Sequence, residues 1–211
     1  MGSSNYTTNS TFQKNLNILL PSISSANTSR NGYYNATVGR NLDTVYGSLQ
    51  CRGDIAASQD CQICAETAAK EIITEKRCPE SKRAIIWYEE CMLRYSDEYY
   101  FNLMLDNPRF LSWNVNNLTD PDKFNPILRD LMNGLVSKAI SNGSSNFQKV
   151  YGLVQCTVDI SSSSCNRCLV AAISELPNCC DGKQGGRVIK PSVWNNCRIM
   201  PAQQINQTGN K

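Results

Sequence analysis

Two pairs of cysteines stand at the spacing that invites metal or thiol chemistry: Cys61 with Cys64, and Cys165 with Cys168. Such a pair can supply half of a tetrahedral zinc site or the couple of a dithiol oxidoreductase. Zinc wants four ligands, yet the two pairs lie in separate halves of the chain and there is no histidine to complete either site. A redox couple wants few other cysteines nearby, whereas Cys51 and Cys91 accompany the first pair, and Cys156 and Cys197 the second. The lack of histidine also removes Ser/His and Cys/His nucleophiles. Nothing in the sequence calls for a metal or a cofactor. The pairs are therefore read as scaffold. On a helix, residues three apart point to the same side and bond poorly to each other, so each sulfur takes another mate: Cys51 with Cys61, Cys64 with Cys91, Cys156 with Cys165, and Cys168 with Cys197. A loop of about ten residues closed in this way contributes about 3 kcal/mol in the chain-entropy picture. Eleven cysteines is an odd number, so at least one lacks a partner in this chain, and Cys78 is the candidate in the first half. A bridge between the adjacent Cys179 and Cys180 is strained, so separate partners are expected, with the pairing left open.

The elements that must hold these sulfurs occur twice. Val45, Tyr46 and Gly47 lead to Gln50 and Cys51, and Val150, Tyr151 and Gly152 lead to Gln155 and Cys156. Phe12, Leu16, Leu19 and Leu20 mark one helix face, opened by Ser10 or Thr11 and stopped near Pro21; Phe124, Leu128, Leu131 and Met132 repeat it. Residues 32–38 and 44–50 read as strands, and a second helix starts at Ser58 or Asp60. Residues 83–88 and 91–95 read as a strand pair or as one long, bent strand. In the second half, residues 150–155 form a strand, 165–176 a helix ended by Pro177, and Gly185 begins a last strand. Turn chemistry around Asp106, Asn107 and Pro108 marks the boundary. Each unit thus reads as α+β, with helices on one side of an antiparallel sheet. The expected domains are residues 1–104 and 105–211.

A cysteine count this high places the chain in an oxidising compartment. Acceptor triplets for N-glycosylation at Asn5, Asn9, Asn27, Asn35, Asn117, Asn142 and Asn206 agree with that. The net charge of +3, dispersed among acidic residues, argues against nucleic acid as a partner. No run of 18 apolar residues occurs, and no apolar signal region follows Met1. The chain is read as a mature piece, joined to a membrane only through a missing downstream helix.

The frame Cys-x8-Cys-x2-Cys, with Tyr-Gly and Gln before it and two cysteines after it, resembles the plant domain of unknown function 26 (DUF26), also called the Gnk2-homologous or salt-stress-response/antifungal domain. Supporting residues include Asp43–Gly47, Ile85–Ser96, Trp113–Asn117 and Cys179–Val188. Two copies in tandem resemble the ectodomain of a cysteine-rich receptor-like kinase. The resemblance implies disulfide-stapled units of about five antiparallel strands with two helices on one face, acting at the apoplastic face of the plasma membrane in defence and stress perception. It also implies that Cys78 pairs with an N-terminal cysteine that this chain lacks. The first copy departs from the frame, with nine residues between Cys51 and Cys61. Where the family reads Pro-Ser-Cys, this chain has Pro191, Ser192 and Val193, so either Cys197 takes over through a bulge or the last strand is altered.

The single-domain ginkgo member binds mannose through an Asn, an Arg and a Glu. The Asn falls in the missing segment. The Arg and Glu positions are Ile85 and Ser96 in the first copy, Arg187 and Arg198 in the second. Arg187 alone matches, and one group of three cannot hold a sugar, so no mannose binding by that route is expected. Arg52, Gly53 and Asp54 spell an adhesion tripeptide but suit a plain turn. Glu89 and Glu90, as strand neighbours, would face opposite sides. Trp87, Tyr88, Tyr99 and Tyr100 read mainly as core or sheet face. The expectation is a non-catalytic module that binds an unidentified extracellular ligand or another receptor's ectodomain, with homo- or hetero-association open. A secreted or plasmodesmal tandem protein with carbohydrate-binding or antifungal action is the alternative.

Overall fold

The computed structural model describes residues 5–25, 32–74, 77–119, 121–141 and 151–198. The chain divides into two compact units, Met1–Phe101 and Asn102–Lys211. The division falls just before the expected 104/105 boundary. The backbone N–H of Asn102 donates to Asp159 at 2.8 Å and that of Leu105 to Ser192 Oγ at 2.9 Å, and both bonds tie this stretch to the second unit.

In the first unit, α1 (Thr11–Ser24) is capped by Ser10, whose hydroxyl accepts from the N–H of Gln13 at 3.3 Å. It buries Phe12, Leu16, Leu19, Leu20 and Ile23. Helix α2 (Gln59–Glu71) is capped by Ser58 rather than Asp60. The four strands are β1 (Tyr33–Val38), β2 (Val45–Cys51), β3 (Ala84–Trp87) and β4 (Cys91–Ser96). They pair antiparallel in the order β1-β2-β4-β3, with α1 against β1 and β2, and α2 against β4. Strand β2 is buried on both faces. Alternate residues Val45, Gly47, Leu49 and Cys51 face the helices. Behind the sheet, the Tyr100 hydroxyl bonds Ser48 at 2.8 Å and donates to the Arg94 carbonyl at 3.1 Å, while the Arg94 guanidinium lies over the Tyr100 ring at 3.9 Å.

The second unit repeats this plan. It comprises β5 (Phe110–Trp113), α3 (Pro121–Ser141), β6 (Tyr151–Cys156), α4 (Ser162–Cys180), β7 (Gly185–Lys190) and β8 (Val193–Arg198). The sheet order is β5-β7-β8-β6, again antiparallel. Each sheet has four strands among the described residues, against about five expected. The first unit has a strand beside β2, and the second has one beside β7. Strand β5 lies in the stretch read from turn chemistry as a boundary; its Leu111 and Trp113 pair opposite Val188 and Gly186. Helix α4 does not stop at Pro177. It runs on to Cys180: the proline removes one intrahelical hydrogen bond and crowds the preceding turn, and the burial of Leu176 in the core holds that turn in place.

The repeated Tyr-Gly has a steric cause. A Cβ on Gly47 would lie 2.5 Å from Ile23 Cδ1 and 2.7 Å from Leu19 Cδ2, and one on Gly152 would lie 2.6 Å from Leu135 Cδ1. In each unit the first helix rests directly on strand backbone. Gly47→Val is therefore expected to destabilise the first unit by about 1–3 kcal/mol through overpacking, read as a lower urea midpoint. Unchanged stability would show that α1 can lift off without cost.

Candidate functional site

Three of the four expected staples are present: Cys51–Cys61 and Cys64–Cys91 in the first unit, and Cys156–Cys165 in the second. They pin the start of α2 to the central strands β2 and β4 and the start of α4 to β6, the edge strand of its sheet.

The fourth is not formed. Cys168 is fully buried and free, which corrects the expected Cys168–Cys197 bridge. Register gives the reason. In the first unit Cys51 stands opposite Cys91, and in the second Cys156 stands opposite Val193, so Val193 holds the place of Cys91. Strand β8 pairs continuously with both neighbours from Val193 to Arg198. There is no bulge by which Cys197 could take over. Four residues along a strand is about 13 Å, and Cys197 stands opposite Gly152 and Gly186, as Tyr95 stands opposite Gly47 and Ala84. The side chain of Cys197 lies outside the described residues.

Cys179 and Cys180 bond to each other, contrary to the separate partners expected. They sit on the last turn of α4, and Cys168 is 12 residues back along that helix, about 18 Å away. Cys180 Sγ would lie 2.5 Å from a Cβ on Gly186, so the vicinal pair rests on β7 where only glycine admits it. Cys78 is free and half-buried.

Around Cys168 lies a charged cluster that the sequence reading did not single out. Lys190, nearly fully buried, pairs with Glu175 at 3.1 Å and Asp106 at 3.3 Å, and Arg109 reaches Glu175 at 3.2 Å. The Cys168 thiol faces Asp106 Oδ1 at 3.6 Å, and burial pushes its pKa up to about 12, with Asp106 adding to the shift. It is an inert thiol at neutral pH. Superposing the two copies by register would have found the cluster: Lys190 stands where Tyr88 stands in the first unit, and the Tyr88 hydroxyl donates to Glu71 at 2.6 Å.

The positions carried over from the sugar-binding relative do not converge. Ile85 is apolar, and Ser96 is buried with its hydroxyl accepting from the N–H of Glu98 at 2.9 Å. Arg187 lies on β7 between Ser112 and Asn196, and the side chain of Arg198 lies outside the described residues. Arg52 folds back on its own tripeptide, with Nε 2.6 Å from Asp54 Oδ1 and a guanidinium N–H donating to the Glu89 carbonyl at 3.2 Å. Residues Gly53–Ile55 form a tight helical turn, so this is turn chemistry. Glu89 and Glu90 occupy the β3–β4 connection rather than a strand. Tyr100 is buried and Tyr99 half exposed. The acceptors Asn5, Asn9, Asn35 and Asn117 are exposed, while Asn27, Asn142 and Asn206 lie outside the described residues.

One concave feature was also missed. Between α3 and α4 a groove of about 540 Å³ is floored by Leu128, Met132 and Leu176. Its signal in the sequence was an apolar residue, Val170, where the first copy has Glu66.

The salt stress response/antifungal family model matches residues 1–98 and 112–200. An antimicrobial ginkbilobin-2-like protein of Castanea crenata is 41% identical over 193 residues, covering 87% of this chain and 78% of that protein. Cysteine-rich receptor-like protein kinase 26 of Arabidopsis thaliana is 38% identical over 201 residues, 89% of this chain but 30% of the kinase. The crystal structure of the tandem DUF26 ectodomain of the Arabidopsis thaliana cysteine-rich receptor-like protein PDLP5 matches with a TM-score of 0.78 at 27% identity, covering 95% of this chain and 97% of that one.

Proposed function

Because this chain belongs to the salt stress response/antifungal (DUF26) family, whose tandem ectodomains are extracellular and non-catalytic, we propose that it is the ligand- or partner-binding region of a plant receptor-like kinase in defence and stress signalling. The observation that carries this reading is the tandem itself. Two units match nearly the whole of a receptor-like ectodomain and a segment of about a third of a receptor-like kinase. In a full-length parent, a spanning helix and a Ser/Thr kinase domain would follow, placing the two units on the outer face of the plasma membrane. Their role is recognition, with phosphoryl transfer left to the kinase.

A second reading rests on a separate observation, the match over most of an antimicrobial protein: a secreted or plasmodesmal protein with antifungal or carbohydrate-binding action. The glycosylated two-unit protein, presented to an array of plant receptor ectodomains and tested in parallel on fungal cultures and a glycan array, separates the two. Saturable binding to an ectodomain without growth inhibition supports the first. Growth inhibition, or mannose binding that Arg187→Ala abolishes, supports the second and overturns the first.

A further inference from the structure

The groove of the second unit is not a requirement of the fold. The first unit has the same two helices and, in β2, β4 and β3, the same three strands in the same register, yet its second helix carries Glu66, Ala69 and Lys70 where α4 carries Val170, Ile173 and Ser174. Of the α1 face, Leu16, Leu19 and Ile23 are fully buried, whereas their counterparts Leu128, Leu131 and Leu135 on α3 are only half-buried. Gly47 touches Leu19 and Ile23 as Gly152 touches Leu131 and Leu135, which fixes this correspondence. Along the wall of a cleft the second copy has valine in place of a glutamate, serine in place of a lysine, and the larger isoleucine in place of an alanine. Val170 is left 54% exposed, and fold stability does not explain that exchange.

The two walls differ in kind. On α4, Val170, Ile173 and Pro177 line the groove, with Leu128, Met132 and Leu176 beneath. On α3, Asn125, Arg129 and Asn133 line it at successive turns. That wall is a guanidinium flanked by two amides. Among the described residues no carboxylate pairs with Arg129. The acids at the rim lie toward one end. Asp122 is seven residues from Arg129, about 10 Å along the helix and near the screening length at physiological salt, and Asp181 accepts from the Asn125 amide at 2.9 Å. The volume falls in the range of small-molecule sites, whose form is an apolar body with a few placed polar groups. A guanidinium on one wall selects a planar anion.

We infer that this groove binds a small amphipathic carboxylic acid, its hydrocarbon body against Val170, Ile173 and Leu176 and its carboxylate on Arg129. The inference rests on reading the chain as an extracellular ligand-binding module and names the ligand class for it.

Calorimetric titration of the intact two-unit protein with decanoate, and with decanamide as its uncharged counterpart, tests this. Saturable one-to-one binding of decanoate is expected, with decanamide about tenfold or more weaker and Arg129→Gln imposing a similar loss. Val170→Glu, which installs at an exposed site the residue the first copy already carries, is expected to abolish binding while leaving the melting temperature unchanged. No saturable binding, or binding that is indifferent to Arg129→Gln and Val170→Glu, overturns the inference. Ectodomain capture in the array experiment is independent of this groove, so a failure here leaves that result standing.

Discussion

Val193→Cys is expected to close the staple that the second unit lacks and to stabilise that unit by about 3 kcal/mol. Cys156 and Val193 occupy the paired positions that Cys51 and Cys91 occupy in the first unit, and Cys64 reaches Cys91 from the helical position that Cys168 repeats. The loop closed would be nearly as long as the one between Cys64 and Cys91, whose sequence separation is 27, and loops of that size contribute about 3 kcal/mol or more. For a unit of this length that is a rise of roughly 10 °C or more in melting temperature. The Cys168 thiol is buried and its pKa is raised to about 12, so oxidation must precede closure of the core, and refolding the reduced chain is the condition to use. Alkylation followed by peptide mapping should find Cys168 free in the parent and blocked in the variant. The matching loss is expected when Cys64 and Cys91 are both replaced by Ser. A variant that refolds with Cys168 still alkylatable would refute the register argument.

The parts of this fold that could be read from the residues are those with a local cause. The i, i+4, i+7 spacing of Phe12, Leu16 and Leu19 reports a buried helix face whatever lies beneath it. The duplicated cysteine frame reports short loops closed at fixed distance. What stayed hidden depends on partners distant in sequence. Strand β5 carries Phe110 and Trp113 half exposed, and only its pairing to β7 makes it a strand. Pro177 looks like a stop because a proline usually is one, but the anchorage of Leu176 is a tertiary fact. The pairing of Cys168 with Cys197 assumed that the nearest late cysteine would serve, and a strand without a bulge forbids it. Lys190 and Val170 were legible in principle. Each stands where the other copy has a residue of different character: strand register aligns Lys190 with Tyr88, and the duplicated cysteine frame aligns Val170 with Glu66.

Lys190→Met should cost the second unit about 2 kcal/mol at pH 7, since it removes the buried partner of Glu175 and leaves that carboxylate only the half-exposed Arg109. The charge left behind is chiefly that of Glu175, which is mostly buried; Asp106 is 45% exposed and contributes little. Lys190→Tyr should cost much less, because the first unit already joins these positions by a phenol donating to Glu71. Burial alone would lower the Lys190 pKa, but Glu175 and then Asp106 outweigh it, and the net shift is upward. A raised folded-state pKa means the stabilisation is complete below the unfolded value near 10.5 and disappears as pH climbs through the folded one. The parent should therefore lose stability on the alkaline side while Lys190→Met does not, so their urea midpoints converge as the pH rises above the unfolded value near 10.5. Cys168, also shifted upward, destabilises in the same direction, so the comparison belongs in a Cys168→Ser background. A gap between the two proteins that stays constant from pH 7 to 12 would mean that Lys190 contributes through its packed methylenes and not through its charge.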